Sequence, residues 1–277
     1  MIDLHSHSNA SDGELSPSEL LKLADESGIT ALALTDHDTM SGLSEAEITA
    51  KKLGIRFISG VETEVNFEPG EFHLLGLDMK RYPDGPLEDF LEEIRRRRVS
   101  RNQEMIDLMR AEGLEITLEE LDIIAGGEIT GRMHFARWLI DRGDAKNIPD
   151  CFEKWLGPGC PFYVPKHRPV LEDAIKAIHD SGGKAVIAHP MSLWISWGRL
   201  GAYMPEWKEQ GLDGIEARHS GASRREAVRL QELADKNGMF ITGGSDFHGS
   251  GRPDRRLGYG PCRVPLEDNL LDAFGDA

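Results

Sequence analysis

The chain has 277 residues, 39% of them hydrophobic, which is enough for one large α/β domain or for one such domain carrying a smaller insertion. Its 48 Asp and Glu against 32 Lys and Arg leave a formal charge of -16. That balance argues against broad attraction to long nucleic acids or anionic membranes, so any anionic ligand must be drawn by a local positive centre. Cys151, Cys160 and Cys262 are too few and wrongly spaced for a disulfide framework or a thiolate zinc site. With no basic-then-apolar leader and no run of about 18 apolar residues, a soluble, cytoplasmic protein is expected.

In chain order, short apolar and β-branched runs predict strands over Ile2 to His5, Ala31 to Thr35, Phe57 to Val61 and Phe72 to Leu77, then Ala185 to His189, Gly214 to Ala217 and Phe240 to Gly243. Amphipathic helices lie between them. Ser16-Pro17-Ser18-Glu19 starts one with a capping box and a proline in its first turn, and Gly28, Gly54, Gly182 and Gly238 close successive helices. Repeated strand-then-helix order implies a parallel sheet, open or closed into a barrel. The alternation breaks between about Arg81 and Pro161, where only helical patterns occur. The expected division is therefore a barrel over 1–80 and 161–277 and a small helical insertion over 81–160 that covers the active site. The insertion's first helix carries Arg95 to Arg98 and Arg101. At about 100° per residue consecutive arginines spread around the helix, so at most two can face one ligand, and Glu92, Glu93 and Glu104 are available as partners.

The histidines fall where strands end. His5 and His7 follow the first strand, His37 the second, His73 lies on the fourth, His189 ends the fifth and His248 follows the seventh. Asp12, Glu62 and Asp246 join them at the same level. Residues at the carboxyl ends of parallel strands converge on one rim, so these nine side chains are expected to meet there. Imidazole and carboxylate ligands suit manganese, zinc or iron, and the lack of cysteine at these positions argues against a soft-metal or iron–sulfur site. His5 and His7, two apart in extended backbone, point to one side and can grip one ion.

Taken together, His5-Ser6-His7, Asp12-Gly13, Thr35-Asp36-His37-Asp38, Gly60-Val61-Glu62, His73, Ala188-His189-Pro190 and Gly244-Ser245-Asp246-Phe247-His248 resemble the PHP (polymerase and histidinol phosphatase) family. The resemblance implies an α/β fold, a distorted (βα)7 barrel with an inserted small helical subdomain, and two or three divalent metal ions, manganese first, zinc or iron otherwise. It assigns His5, His7, Glu62 and Asp246 to one ion, makes Glu62 the bridge to a second held with His73 and His189, and gives a third to Asp12, His37 and His248. Glu62, Asp246 and His189 are the expected catalytic residues. Between two ions about 3.5 to 4 Å apart, a bridging water becomes hydroxide near neutral pH and attacks phosphorus. Asp36 and Asp38 flank His37 and are candidates to orient it.

Within that family the chain resembles the nucleoside 3′,5′-bisphosphate 5′-phosphatases, some of which trim short RNAs from the 5′ end. This rests on the insertion after the fourth strand, on Thr130 to Arg137 and on Glu216 to Ser220. A bisphosphate needs a second anion site, for which Arg132, His134, Arg218 and His219 are the candidates, with Lys166 and Arg137 behind them. The expected ligand is a small phosphorylated metabolite, a nucleotide first. Histidinol-phosphate phosphatase, phosphodiesterase or nuclease, and non-catalytic nucleotide-binding regulator stand as alternatives.

Overall fold

A computed structural model describes residues 1–125 and 130–275; residues 126–129, inside the expected insertion, lie outside the described residues. The chain divides into two compact units, Met1–Leu91 with Arg168–Ala277, and Glu92–His167.

The first unit is built on a curled seven-stranded sheet in the order β1 to β7. Its strands are β1 (Ile2–Asp3), β2 (Ala31–Leu34), β3 (Arg56–Val65), β4 (Phe72–Leu77), β5 (Lys184–Ile187), β6 (Gly214–Glu216) and β7 (Phe240–Thr242). Helices α1 (Pro17–Glu26), α2 (Leu43–Leu53), α3 (Pro86–Ala111) and, after the second unit, α7 (Leu171–Asp180), α8 (Trp197–Glu209) and α9 (Arg224–Lys236) connect them. Helix α1 begins at the expected capping box of Ser16 and Glu19, and α2 ends on Gly54 at φ 72°, a conformation that Gly adopts without penalty.

The sheet is not all parallel. β4 runs antiparallel to both β3 and β5, while the remaining pairs are parallel. The cause is the short link between β3 and β4, which holds no helix and is too short for a parallel crossover. The reversal has a functional consequence: the start of β4, where His73 lies, comes to the same rim as the ends of its neighbours. Glu64 pairs with His73 and Glu62 with Leu75, so Glu62 and His73 are diagonal neighbours on one face. Lower on that face Ile58, Leu75, Leu77 and Val186 join Ile2 and Ala33 in an apolar core, sealed by Leu266, Leu270 and Phe274 near the end of the chain. The sheet's two ends meet through backbone bonds: Leu4 N–H donates to Gly243 O at 3.1 Å and Asp246 N–H to His5 O at 2.8 Å.

The second unit contains most of α3, then α4 (Leu118–Ala125), α5 (Arg132–Asp141), α6 (Ile148–Cys151) and a π turn over Phe152–Leu156; its described residues contain no strand. Met105, Met109, Leu121, Phe135, Leu139 and Phe162 are its fully buried centre. In the arginine run, Arg96 and Arg97 both pair with Glu93, and Arg101 is buried, donating to Asn102 Oδ1 at 2.7 Å. No described helix is long and apolar enough to cross a membrane.

One fully buried carboxylate ties the ends of the sheet. Asp3 accepts hydrogen bonds from the Ser245 N–H at 3.0 Å, the Ser245 hydroxyl, the Gly258 N–H at 2.7 Å and the His5 N–H at 3.2 Å. Its removal strands several buried donors at once. Asp3→Ala is expected to lower unfolding free energy by about 3 to 5 kcal/mol in urea titration, and a change under about 1 kcal/mol would contradict this account of the closure.

Candidate metal centre

The rim collects the side chains that the sequence pattern singled out. Three groups of donor atoms lie within 4.8 Å of one another: His7, Asp12, His37 and His248; His5, His7, Glu62 and Asp246; and His37, Glu62 and His73. His189 reaches the same cluster through Nε2, 2.9 Å from Glu62 Oε1. His7 and His37 each belong to two groups, a sharing that the family-based allocation did not contain.

Local backbone explains how such a density of rings is possible. Residues 244 and 13 must be glycine, because a Cβ on Gly244 would fall 2.1 Å from the Cβ of His5, and one on Gly13 would fall 2.4 Å from the carbonyl oxygen of His7. Two of the clustered residues, His189 (φ 25°) and Asp246 (φ 55°), sit in the left-handed region, where a side chain strains the backbone unless its surroundings hold it.

Glu62 is at the centre and almost wholly buried. Its Oε1 lies 2.9 Å from His73 Nδ1 and 2.9 Å from His189 Nε2. Its Oε2 lies 3.3 Å from both His5 Nε2 and His7 Nε2, and 3.2 Å from His37 Nδ1. The Asp246 Oδ1 atom completes this side, 3.2 Å from His7 Nε2 and 3.6 Å from His5 Nε2. Yet His5 Nε2, both nitrogens of His7 and Glu62 Oε2 are buried without a hydrogen-bond partner. Buried polar atoms at this spacing that converge without bonding one another are what a shared cation requires: tetrahedral donors about 2.1 Å from an ion stand about 3.4 Å apart. The donor set fits a divalent metal.

Partners behind the cluster fix the rings. Glu216 lies 3.0 Å from His5 Nδ1 through Oε1 and accepts the His189 N–H at 2.7 Å through Oε2. A proton on His5 Nδ1 leaves the Nε2 lone pair aimed at the cluster. His248 Nδ1 lies 2.8 Å from the Asp246 carbonyl oxygen, which turns its Nε2 toward Asp12 Oδ1 at 3.3 Å. His189 Nδ1 is 3.0 Å from Ser192 Oγ. Asp36, expected to orient His37, instead braces the loop after His7, accepting from Ser8 N–H at 2.8 Å, Ser8 Oγ at 2.7 Å and Ser11 Oγ at 2.7 Å. Asp38 accepts from Thr63 Oγ1 at 2.8 Å.

Electrostatics show the demand for positive charge. Burial opposes a proton on His7, but Asp246 and Glu62 outweigh it and lift the ring to about 10. Burial also works against His5, and Glu216, Glu62 and Asp246 still raise it well above the ordinary imidazole value. His37 goes the other way: burial, reinforced by His7 and His73 against the pull of Glu62, lowers it to about 4. Burial lowers His189 as well. For Glu62 burial favours the neutral acid, but His37, His5 and His73 hold the carboxyl well below its usual range.

The clustered residues open onto a cavity of about 380 Å³, whose lining includes His37, His73, His189, Asp246 and His248 together with Arg252 and Arg255. Of the candidate phosphate-binding residues, His219 lines this cavity and Arg218 does not. After β6 the chain turns tightly, Ala217 N–H bonding Ile215 O at 2.9 Å. Arg218 then faces a separate cavity of about 410 Å³ and donates to Gln231. Arg132 and His134 lie in the second unit at the start of α5; the Arg132 guanidinium stands 5.7 Å from the Phe152 ring centroid, and His134 Nδ1 accepts the Gly131 N–H at 2.9 Å.

Sequence reasoning missed two residues here. Arg255 donates to Asp246 Oδ2, and its Nη1 lies 2.8 Å from His219 Nε2. It sits in a loop without periodicity, and only its nearness to Asp246 in sequence hinted at it. Glu216 left a clearer trace, as the one charged residue within the apolar run Gly214-Ile215-Glu216-Ala217.

A family model described as PHP domain matches residues 3–155. The chain is 36% identical over 267 residues to the 3′,5′-nucleoside bisphosphate phosphatase of Chromobacterium violaceum, covering 96% of this chain and 93% of that protein. It is 36% identical over 247 residues to a 5′-3′ exoribonuclease of Haemophilus influenzae, covering 89% of each. Among solved structures it resembles an amidohydrolase from Chromobacterium violaceum with bound sulfate and no metal, at TM-score 0.79 and 34% identity over 98% of this chain and 96% of that one. It also resembles a protein from Bifidobacterium adolescentis described as a metal-dependent phosphoesterase, at TM-score 0.77 and 26% identity over 98% and 94%.

In the ion-free chain His5 and His7 carry protons at pH 7 where a cation would bind, so binding must expel them and affinity must fall as pH falls. Calorimetric manganese titration in buffers of different ionisation enthalpy is expected to show net proton release on binding. Release of none would contradict ligation by these rings.

Proposed function

We propose that this chain, which belongs to the PHP domain family of metal-dependent phosphoesterases, hydrolyses the 5′-phosphate of nucleoside 3′,5′-bisphosphates or of short oligonucleotides. The observation that carries the hydrolytic reading is the division of the Glu62 carboxylate, one oxygen toward His73 and His189 and the other toward His5 and His7. A carboxylate so placed can serve two ions at once. The nucleotide reading is supported by the names of the relatives and by a cavity in the size range of small-molecule sites.

Two or three divalent ions, with manganese preferred and zinc or iron suited to the same donors, would be held by His5, His7, Glu62 and Asp246, by Glu62, His73 and His189, and by Asp12, His37 and His248. When bound, such ions supply Lewis acidity toward the phosphoryl oxygens and lower the pKa of a water near the phosphorus. The chain's own groups do the rest. Glu216 and Ser192 hold His5 and His189 in place, and Arg255 occupies one oxygen of Asp246 so that the other faces the cluster. Arg252 and Arg255 put positive charge on the cavity wall, where guanidinium groups can receive phosphate oxygens. His219, on the same wall, remains our candidate for contact with the substrate. Phosphate contact by Arg132 and His134, and a covering role for 81–160, are proposals resting on the sequence resemblance alone.

Phosphate release by manganese-loaded protein from adenosine 3′,5′-bisphosphate, adenosine 5′-monophosphate and histidinol phosphate, measured side by side, tests this reading. Strong preference for the bisphosphate is expected. Glu62→Ala is expected to lose metal content and at least about a hundredfold in turnover together. Preference for histidinol phosphate would overturn the substrate assignment, and full metal content with normal turnover in Glu62→Ala would overturn the bridging role.

A further inference from the structure

The cavity beside the candidate metal centre is lined by two unlike kinds of side chain. Its lining combines imidazoles, carboxylates, Arg252 and Arg255 with the side chains of Met191, Trp194, Ala222 and Leu230. Trp194 is 72% exposed, and among the described residues it makes no ring contact, whereas Phe67, Phe72, Tyr203 and Trp207 pack edge-on or stacked against one another elsewhere. An indole left uncovered at the edge of a phosphate-ester site gains nothing from folding, so its surface is available to a ligand.

The backbone holds it there. Trp194 adopts φ 51° and ψ 34°, in the left-handed region that a bulky residue rarely enters, directly after the short 3-10 turn Pro190–Leu193. Leu193, next to it, is fully buried and anchors the turn. The turn is clamped to the strap before β4: Glu71 N–H donates to Ser192 O at 2.9 Å, and Ser192 Oγ donates to Glu71 O at 2.8 Å. Gly70 packs so closely that a Cβ there would fall 2.3 Å from Ser192 O. Ser192 also touches His189 Nδ1, so the turn that presents the indole also braces a candidate metal ligand.

We propose that Trp194 is the stacking platform for the nucleobase of the substrate. This inference rests on the nucleotide reading above and gives it a binding element at the end away from the phosphorus. A nucleotide joins an anionic phosphate to a flat aromatic base, and the cavity joins cation-seeking side chains to an exposed indole on a clamped turn. Stacking is tolerant of base identity because every base offers a π face, so Trp194 confers preference for nucleotides over base-free esters and little choice among bases. The indole touches no reacting atom, which places its contribution in substrate binding.

Steady-state kinetics of the manganese-loaded protein on adenosine 3′,5′-bisphosphate and on ribose 5-phosphate, for wild type, Trp194→Ala and Trp194→Phe, test the proposal. In Trp194→Ala the ratio of the nucleotide KM to the ribose 5-phosphate KM is expected to rise roughly tenfold, with kcat for the nucleotide little altered and with substantial recovery in Trp194→Phe. Adenosine 3′-monophosphate, which lacks the scissile group, is expected to quench tryptophan fluorescence in wild type and to quench it much less in Trp194→Ala. An unchanged KM ratio, or undiminished quenching in the alanine variant, would overturn the platform. Wild type that turns over ribose 5-phosphate in preference to the nucleotide would remove the nucleotide reading itself and the platform with it, an outcome visible before any variant is made.

Discussion

Both oxygens of the Glu62 carboxylate are removed from water and meet five imidazoles, His5, His7, His37, His73 and His189, drawn from four separate segments of the chain. Among the described residues no Lys or Arg pairs with it. An ionised carboxylate taken into such surroundings without a cation costs several kcal/mol, more than neutral imidazole dipoles return. A positive charge has to enter the cluster. Protons on His5 and His7 meet the need in the ion-free chain, and divalent ions meet it more fully, since three carboxylates then face a formal surplus of positive charge. A strongly acidic chain thereby acquires a pocket fit for phosphate.

Placing that carboxylate sets the demands on the fold. Glu62 sits near the middle of the longest strand, β3, where the apolar core gives way to the rim. The antiparallel turn of β4 brings His73 diagonally beside it, and the joining of β1 to the segment after β7 brings His5 and His7 against Asp246. Asp3 holds that joint from beneath. Of the seven described non-glycine residues at positive φ, His189, Trp194 and Asp246 line the cavity at this rim, where packed turns hold them in the left-handed region.

Much of this was legible in the residues. Seven strands were expected and seven form, because each contains a short apolar run; β3 continues past its run through Glu62 to Val65. The gathering of His5, His7, His37, His189, Asp246 and His248 followed from a topological rule about strand ends, whereas His73, at the start of the antiparallel β4, and Glu62, inside β3, fall outside that rule. The direction of β4 was not legible, since apolar runs carry no sign of orientation; the missing helix between Val65 and Phe72 was the available clue. Arg218 and Arg255 show a second limit. Arginine's place in a site depends on where a turn throws a long side chain, and neither the cavity that Arg218 lines nor the pairing of Arg255 with Asp246 has a composition signature. Glu216 was readable in principle, as a carboxylate within a buried strand that must have a partner.

Glu62 is proposed to serve two ions from its two oxygens. Anomalous scattering from crystals grown with manganese tests this most directly. Two peaks within ligand distance of Glu62 are expected, one shared with His5, His7 and Asp246 and the other with His73 and His189. A single peak touching one oxygen, or peaks that leave Glu62 out altogether, would contradict it.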